Sequence, residues 1–252
     1  MSERQREELP RPWWVRQLED LARVSRPLRR RLAPSRFKET YVNRALARYE
    51  RPTLYLEIGV REGESFRLVG ADTKIGIDPE RMPGMDVLMP GERYFETTSD
   101  EFFDDHAAAV LGRESVHVVL IDGLHEFRQV LHDLTNLEPY MRRDGVVILD
   151  DCNPPSAERG SATPRGGAWN GDVWKLPAFL IAERPDLHVA TIDADEGVGV
   201  VTGFGAPAQA VSEVVIERYK SLPYDYLEAN RTAVLNLLPP SRFDSLLGSP
   251  GA

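Results

Sequence analysis

Three acidic residues carry the strongest chemical signal in this sequence: Asp122 and the adjacent pair Asp150-Asp151. Each follows a short apolar, β-branched run, Val116-His117-Val118-Val119-Leu120-Ile121 in the first case and Val146-Val147-Ile148-Leu149 in the second. Carboxylates brought together repel one another unless a proton or a cation sits between them. Oxygen ligands of this kind suit Mg²⁺, Mn²⁺ or Ca²⁺. His125 stands three residues after the first acid, and imidazole is the side chain whose ordinary titration lies near neutrality. A second constellation lies upstream, in the turn Glu57-Ile58-Gly59-Val60-Arg61-Glu62-Gly63-Glu64-Ser65, followed by Asp78.

The elements that must position these residues can be read from periodicity. Phe127, Val130, Leu131, Leu134 and Leu137 recur at helical spacing and make one apolar face. Pro139 and Asp144-Gly145 end that helix region. Strand, helix and strand then form a βαβ crossover, with parallel, adjacent strands. Asp122 and Asp150-Asp151 therefore emerge at the same carboxyl edge, where open α/β sheets bind ligands. Upstream, residues 53–58 read as a buried strand opening into the Gly turn, a helix begins near Ser65, and a strand over 74–77 ends at Asp78. That order is the mononucleotide-binding half of a doubly wound sheet.

The rest of the chain fills in around this frame. Pro12 begins an amphipathic helix with Trp14, Leu18 and Leu21 on one face, Trp13 and Trp14 being packing residues, and a second helix is expected over 41–49. A weak strand is expected over 93–97, then a helix opened by Ser99-Asp100 with Ser99 as its N-cap. Residues 152–171 form a long Pro/Gly-rich stretch of the kind that makes lids. Strands over 187–192 and 198–201 flank Asp195-Glu196-Gly197 as a hairpin. Helices over 208–221 and 225–238 follow. The expected fold is a Rossmann-like, doubly wound α/β sheet of seven strands, mostly parallel with an antiparallel C-terminal hairpin. It divides into an N-terminal helical extension (1–50), a central domain (51–204) and a C-terminal helical extension (205–252).

The net charge of −9 is unevenly placed: residues 1–50 hold 13 Lys/Arg against 7 Asp/Glu, and the remainder 18 against 33. The basic arm reads as arginines solvating helices that pack on an acidic body, since nucleic-acid binders carry their basic excess across the domain. A single cysteine, Cys152, leaves no internal disulfide and points to a reducing compartment. No apolar run approaches the roughly 20 residues that span a bilayer, and the N-terminus lacks the apolar segment of a secretory signal. A cytoplasmic protein without a membrane or nucleic-acid partner is expected.

The Gly turn departs from a nicotinamide fingerprint, which needs glycine at 59, 61 and 64 where this chain has Gly59, Arg61 and Glu64. Glu64 would place negative charge beside a phosphate. An acid at the turn suits a cationic amino-acid end of a ligand instead, and Asp78 suits a ribose diol. S-adenosylmethionine has both ends. An ordinary tight turn is the plain alternative.

Together, Glu57-Ile-Gly59-Val-Arg-Glu-Gly63-Glu-Ser65, Ile-Asp78, Ile-Asp122-Gly-Leu-His125-Glu-Phe127 and Val-Ile-Leu-Asp150-Asp151 resemble a class I methyltransferase. More narrowly, they resemble the metal-dependent sugar O-methyltransferases of antibiotic pathways (the macrocin, mycinamicin and novobiocin type) and the cephalosporin-hydroxylase-like proteins, over residues 53–202. The resemblance implies that Glu57, Gly59, Gly63, Ser65, Asp78, Ser99, Asp100 and Asp122 line an S-adenosylmethionine pocket. It also implies that Asp122, Asp150 and Asp151 hold a divalent metal, normally Mg²⁺, and that the acceptor is a small glycosylated natural product. A homo-oligomer formed through the helical extensions is expected. There is one departure: the family's base is an Asp two residues after the first metal ligand, and Leu124 stands there. His125 serves either as the catalytic base or as a capping and supporting residue of its helix. Residues 170–175 are either a helix start or an acceptor-side contact. Two further functions stay open, a non-catalytic or scaffolding protein of the same fold and a metal-dependent hydrolase.

Overall fold

In a computed structural model of the chain, the structure describes residues 32–34, 37–164, 168–206 and 211–247. The expected helix at Pro12, with Trp13 and Trp14, lies outside these residues. Along the described chain come α1 (Lys38–Leu46), β1 (Leu54–Ile58), α2 (Glu64–Leu68), β2 (Thr73–Asp78) and β3 (Glu92–Glu96). A helix with a π-turn in its middle, α3 (99–110), leads to β4 (Val116–Ile121), α4 (Phe127–Leu137) and β5 (Met141–Leu149). After the long stretch come α5 (Lys175–Glu183), β6 (His188–Ile192), β7 (Val198–Thr202), α6 (Glu213–Lys220), α7 (Tyr224–Val234), β8 (Leu237–Leu238) and α8 (Phe243–Leu246).

One sheet carries all eight strands in the order β3-β2-β1-β4-β5-β7-β6-β8. Strands β1 to β5 pair in parallel, and β7 runs antiparallel between β5 and β6. The architecture is the doubly wound α/β sheet expected, with eight strands rather than seven. The added strand comes from the C-terminal segment expected to be helical throughout. There α7 stops at Val234, and Leu237-Leu238 pairs in parallel with Thr191-Ile192. A two-residue edge strand has too few residues for an alternating pattern to show.

Alternation along the strands builds two apolar layers. Leu56, Ile58, Val119, Ile121, Val147 and Leu149 face α3, α4 and α5, including Phe102, Phe127 and Phe179. Tyr55, Val118, Leu120, Val146 and Ile148 face the other way, against Tyr41, Val42, Ala45 and Leu46 of α1 and Phe243 of α8. Thus α1 is a working layer of the domain, and it begins three residues earlier than the apolar pattern suggested. The described part of the basic arm packs on the acidic body as expected: Arg44 pairs with Asp244 at 2.7 Å and Arg48 donates to the Leu247 carbonyl.

Strand order reverses at β1 and β4, which places the ligand crevice of this architecture at their carboxyl ends. The register sets Ile58 beside Ile121 and Ile121 beside Leu149. The amide of Asp122 donates to the Ile58 carbonyl at 2.8 Å, and that of Asp150 to the Ile121 carbonyl at 3.1 Å. Glu57, Asp122 and Asp150 consequently stand in a row along one edge.

Candidate functional site

That edge opens into a cavity of about 970 Å³. At one end the chain leaves β1 through Gly59, whose φ is +85° and whose amide donates to the Ile77 carbonyl at 2.9 Å. A Cβ on Gly59 would come within 2.1 Å of the Asp122 carbonyl oxygen, so the turn and the end of β4 touch through backbone. Asp78 closes the same turn: one oxygen accepts from the amides of Val60 and Arg61 at 2.9 Å each, and the other from the Glu80 amide. Its carboxylate lines the cavity with lone pairs left for a further donor.

Glu57 lies at the cavity's inner wall, almost fully buried, and accepts from the Tyr55 hydroxyl at 2.6 Å. Burial pushes its carboxyl up to about 8, with the neighbouring Asp122 adding to the effect against the Tyr55 hydrogen bond. A buried acid of this kind is ready to ionise when a cationic group enters.

Ser65, Ser99 and Asp100 also line the cavity. Gln129 of α4 connects the last two, its amide lying 2.9 Å from Asp100 Oδ1 and 3.3 Å from Ser99 Oγ, and it reaches Asp133 Oδ1 at 3.1 Å. The N-cap of α3 is Thr98 and not Ser99, because Thr98 and Glu101 form a reciprocal capping box. That frees Ser99 to face inward. Gly63 does not line the cavity. Its φ is +78° at the start of α2, and an added Cβ would meet Met85 Sδ, with no ligand space on that side.

At the other end stand the acids. Asp151 adopts φ +59°, and this left-handed turn lets both members of the pair line the cavity although they follow one another at a strand end. His125 lies between Asp122 and Asp151, with Nε2 3.5 Å from Asp122 Oδ1 and Nδ1 3.3 Å from Asp151 Oδ2. Nδ1 also lies 3.2 Å from the Trp169 carbonyl, which can only accept. Every partner of the ring is an acceptor, so these partners hold the imidazole above its ordinary range against its burial. Asp151 is pushed up to about 6 by burial despite His125, and accepts from Asn170 Nδ2.

Lys38 was not among the residues picked out from sequence, yet its ammonium spans the acid edge. Nζ lies 2.5 Å from Asp122 Oδ2 and also contacts Asp150 Oδ2. Although burial acts the other way, Lys38 and His125 hold Asp122 well below the carboxylate range. Asp150 is raised by burial and by the adjoining carboxylates, and its Oδ1 is buried without a partner. Lys38 lies 84 residues from one partner and 112 from the other, so no local motif marked it.

The long stretch supplies the cavity's rim. Trp169 packs beside His125 with ring centroids 5.5 Å apart, and Arg159 pairs with Glu196. All four residues line the cavity. The 170–175 segment divides in two. Asn170 reaches the acids, but Trp174 is fully buried and Lys175 is tied to Asp172 at 2.9 Å and to the Lys220 carbonyl, so neither Trp174 nor Lys175 contacts an acceptor. Elsewhere His117 Nδ1 accepts the Leu54 amide, a structural role.

The residues present fit a divalent cation. Ligand atoms of Asp122, His125 and Asp151 lie within 4.8 Å of one another, and Asp150 offers an unpartnered buried oxygen beside them. Among the described residues Asp122, His125 and Asp151 form the one group that could hold such an ion.

No curated protein sequence matches the chain. Among solved structures, similarity is found to a Corynebacterium glutamicum protein (16% identity over 68% of this chain and 82% of that one, TM-score 0.47). A second is a chain of the Haloferax volcanii complex between the Trm112 methyltransferase activator and a putative methyltransferase (13%, 73% and 98%, TM-score 0.44). A third is the MycE methyltransferase of the mycinamycin biosynthetic pathway, in complex with Mg and SAH (19%, 69% and 50%, TM-score 0.44). Residues 56–152 match the family model described as a methyltransferase domain. The matched span runs from Glu57 through Asp78 and Asp122 to Asp151.

Proposed function

We propose that this chain is an S-adenosylmethionine-dependent O-methyltransferase, assisted by a divalent cation such as Mg²⁺, that acts on a sugar or polyol hydroxyl of a natural product. The observation that carries the reading is the continuity of one cavity from the Gly turn to the acid edge, with Glu57 and Asp78 at one end and Asp122, His125 and Asp151 at the other.

Bound there, S-adenosylmethionine supplies a methyl group on a positively charged sulfur, and the cation lowers the pKa of an acceptor hydroxyl. The chain's own groups do the rest. Glu57 receives the ligand's ammonium end, and Asp78 accepts from the ribose hydroxyls while its amide contacts keep the turn in shape. Ser99 and Asp100, linked by Gln129, lie beyond Asp78 along the same wall. His125 Nδ1 is held on the Trp169 carbonyl, which leaves Nε2, on the Asp122 side, to take the acceptor's proton. The acceptor oxygen then forms a bond to the methyl carbon as the carbon–sulfur bond breaks, and a neutral thioether leaves. Trp169 offers a flat apolar surface beside His125, while Arg159, Asp195 and Glu196 offer polar groups, a combination suited to a polyhydroxylated ring.

Calorimetry with S-adenosylhomocysteine, run in buffers of different ionisation enthalpy, tests the cofactor end. Binding should survive chelation by EDTA and should release a proton near pH 7, because Glu57 enters the complex ionised. Absence of binding would remove the methyltransferase reading. Methyl transfer to glycosylated acceptors should stop in EDTA and return with Mg²⁺; full turnover in thoroughly chelated protein would remove the cation.

A further inference from the structure

The Asp122–Asp150 side of the acid edge is already spanned by a cation belonging to the chain. Lys38 is the first residue of α1, and its side chain is mostly buried as it reaches both carboxylates. Its position is fixed at a second point, since its own amide donates to Asp195 Oδ2 at 2.7 Å across the mouth of the β6–β7 hairpin. Meanwhile Asp150 Oδ1 is buried with no partner, so Lys38 leaves this carboxyl half satisfied. A buried carboxyl oxygen without a partner is a place that a proton or a further cation can fill.

We propose that Lys38 is an internal competitor of the divalent cation, bridging Asp122 and Asp150 until the ion displaces it. This rests on the cation reading given under Proposed function. Mg²⁺ and Mn²⁺ sit on the order of 2.1 Å from their oxygen ligands. An ion using the same oxygens as the Lys38 ammonium would place two positive charges within a few ångströms of each other in a poorly solvated site. With Lys38 in place, the ion is confined to Asp122, His125 and Asp151, and His125 is spent as a ligand. With Lys38 withdrawn, Asp150 would be open to the ion as well, and His125 would be left to take a proton. Phe37, Lys38 and Glu39 wall the cavity, so withdrawal of the Lys38 side chain changes that wall. Lys38 thereby couples cation loading to the shape of the cavity.

The test is Mn²⁺ titration of the whole chain, reading free Mn²⁺ by electron paramagnetic resonance, for the parent, Lys38→Met and Lys38→Arg. Lys38→Met should bind Mn²⁺ at least about tenfold more tightly, the scale of one charge-assisted hydrogen bond. Lys38→Arg should stay near the parent. In the parent, reductive methylation read by mass spectrometry should find Lys38 protected alone and reactive at saturating Mn²⁺. Equal or weaker Mn²⁺ binding by a folded Lys38→Met overturns the competition and leaves the cation reading standing. No Mn²⁺ binding by either protein overturns both. Should Lys38→Met not fold, the labelling decides: unchanged protection of Lys38 at saturating Mn²⁺ overturns the proposal.

Discussion

On the β1–β2 side the cavity wall is made of backbone. Gly59 meets the Ile77 carbonyl, Asp78 gathers the amides of Val60 and Arg61, and the carbonyl of Asp122 sits where a Gly59 Cβ would be. On the β4–β5 side the wall is made of charged side chains that hold one another: Lys38 with Asp122 and Asp150, His125 with Asp122 and Asp151, Asn170 with Asp151. Backbone contacts fix a shape that tolerates little change in geometry and much change in charge. A side-chain network can exchange one partner for another, a proton or a cation included. The first wall suits holding one ligand in one pose, and the second suits chemistry in which charge moves.

The sharpest way to separate the two walls is His125→Ala. Turnover should fall by about 10²–10⁴-fold, the usual range for losing a general base. Affinity for S-adenosylhomocysteine should change little, because among the described residues the ring's partners are the acid edge and Trp169. The acceptors around His125 raise its pKa, so the neutral, basic form gains population as pH rises through a value above the ordinary imidazole one. With His125 as the base, the acidic limb of the pH–rate profile should disappear in the variant. A variant that kept both turnover and limb would move the base elsewhere.

The same contrast explains what could be read from sequence. The first wall is local: strand, Gly turn, helix, strand and terminal acid lie between Leu54 and Asp78, so periodicity and turn chemistry were enough. Asp122 and Asp150-Asp151 were legible too, because a βαβ crossover brings the ends of its strands together whatever the side chains are. Lys38, Asp195 and Trp169 were not, since each reaches the site through packing of segments far apart in the chain. Lys38 lay before the apolar run that marked its helix, and a lysine there reads as solvated surface. Trp174 misled in the opposite sense. Its position after a Gly-rich stretch suggested an acceptor contact, while its indole is buried and donates to the Gly160 carbonyl at 3.1 Å.

Glu57→Gln probes the backbone-built wall through charge. The folded chain holds the Glu57 proton up to about pH 8, whereas an unfolded glutamate releases it near 4.5. Between those values the folded state carries the extra proton, so stability falls as pH rises through that window. Removing the titration should make the variant more stable than the parent at pH 8 by a few kcal/mol, and equal to it near pH 4. Urea unfolding at both pH values measures this. The variant should also bind S-adenosylhomocysteine more weakly and without proton release. Equal stability of the two proteins at pH 8 would mean that Glu57 is ionised in the empty cavity, and that it is less ready to meet a cation than its burial implies.

The smallest effect is expected at Gly63, which shares the Gly turn with Gly59 and differs from it in what it faces. A Cβ at Gly59 would collide with backbone of Asp122 and Gly123, which cannot give way without parting β1 from β4. At Gly63 the nearest atom is Met85 Sδ, 2.4 Å from the added carbon, the far end of a flexible side chain. Gly63→Ala therefore carries two modest costs. One is a left-handed φ of +78° for a residue with a Cβ, about 1–2 kcal/mol. The other is the shift of Met85, which is fully buried and must find another rotamer. Thermal unfolding should register the loss as a few degrees for a chain of this size. Affinity for S-adenosylhomocysteine should stay within about twofold, less than the tenfold that 1.4 kcal/mol would bring, because the substituent points away from the cavity. A loss of binding beyond that, in a variant as well folded as the parent, would place the ligand against Gly63 and would extend the backbone-built wall by one more residue of the turn.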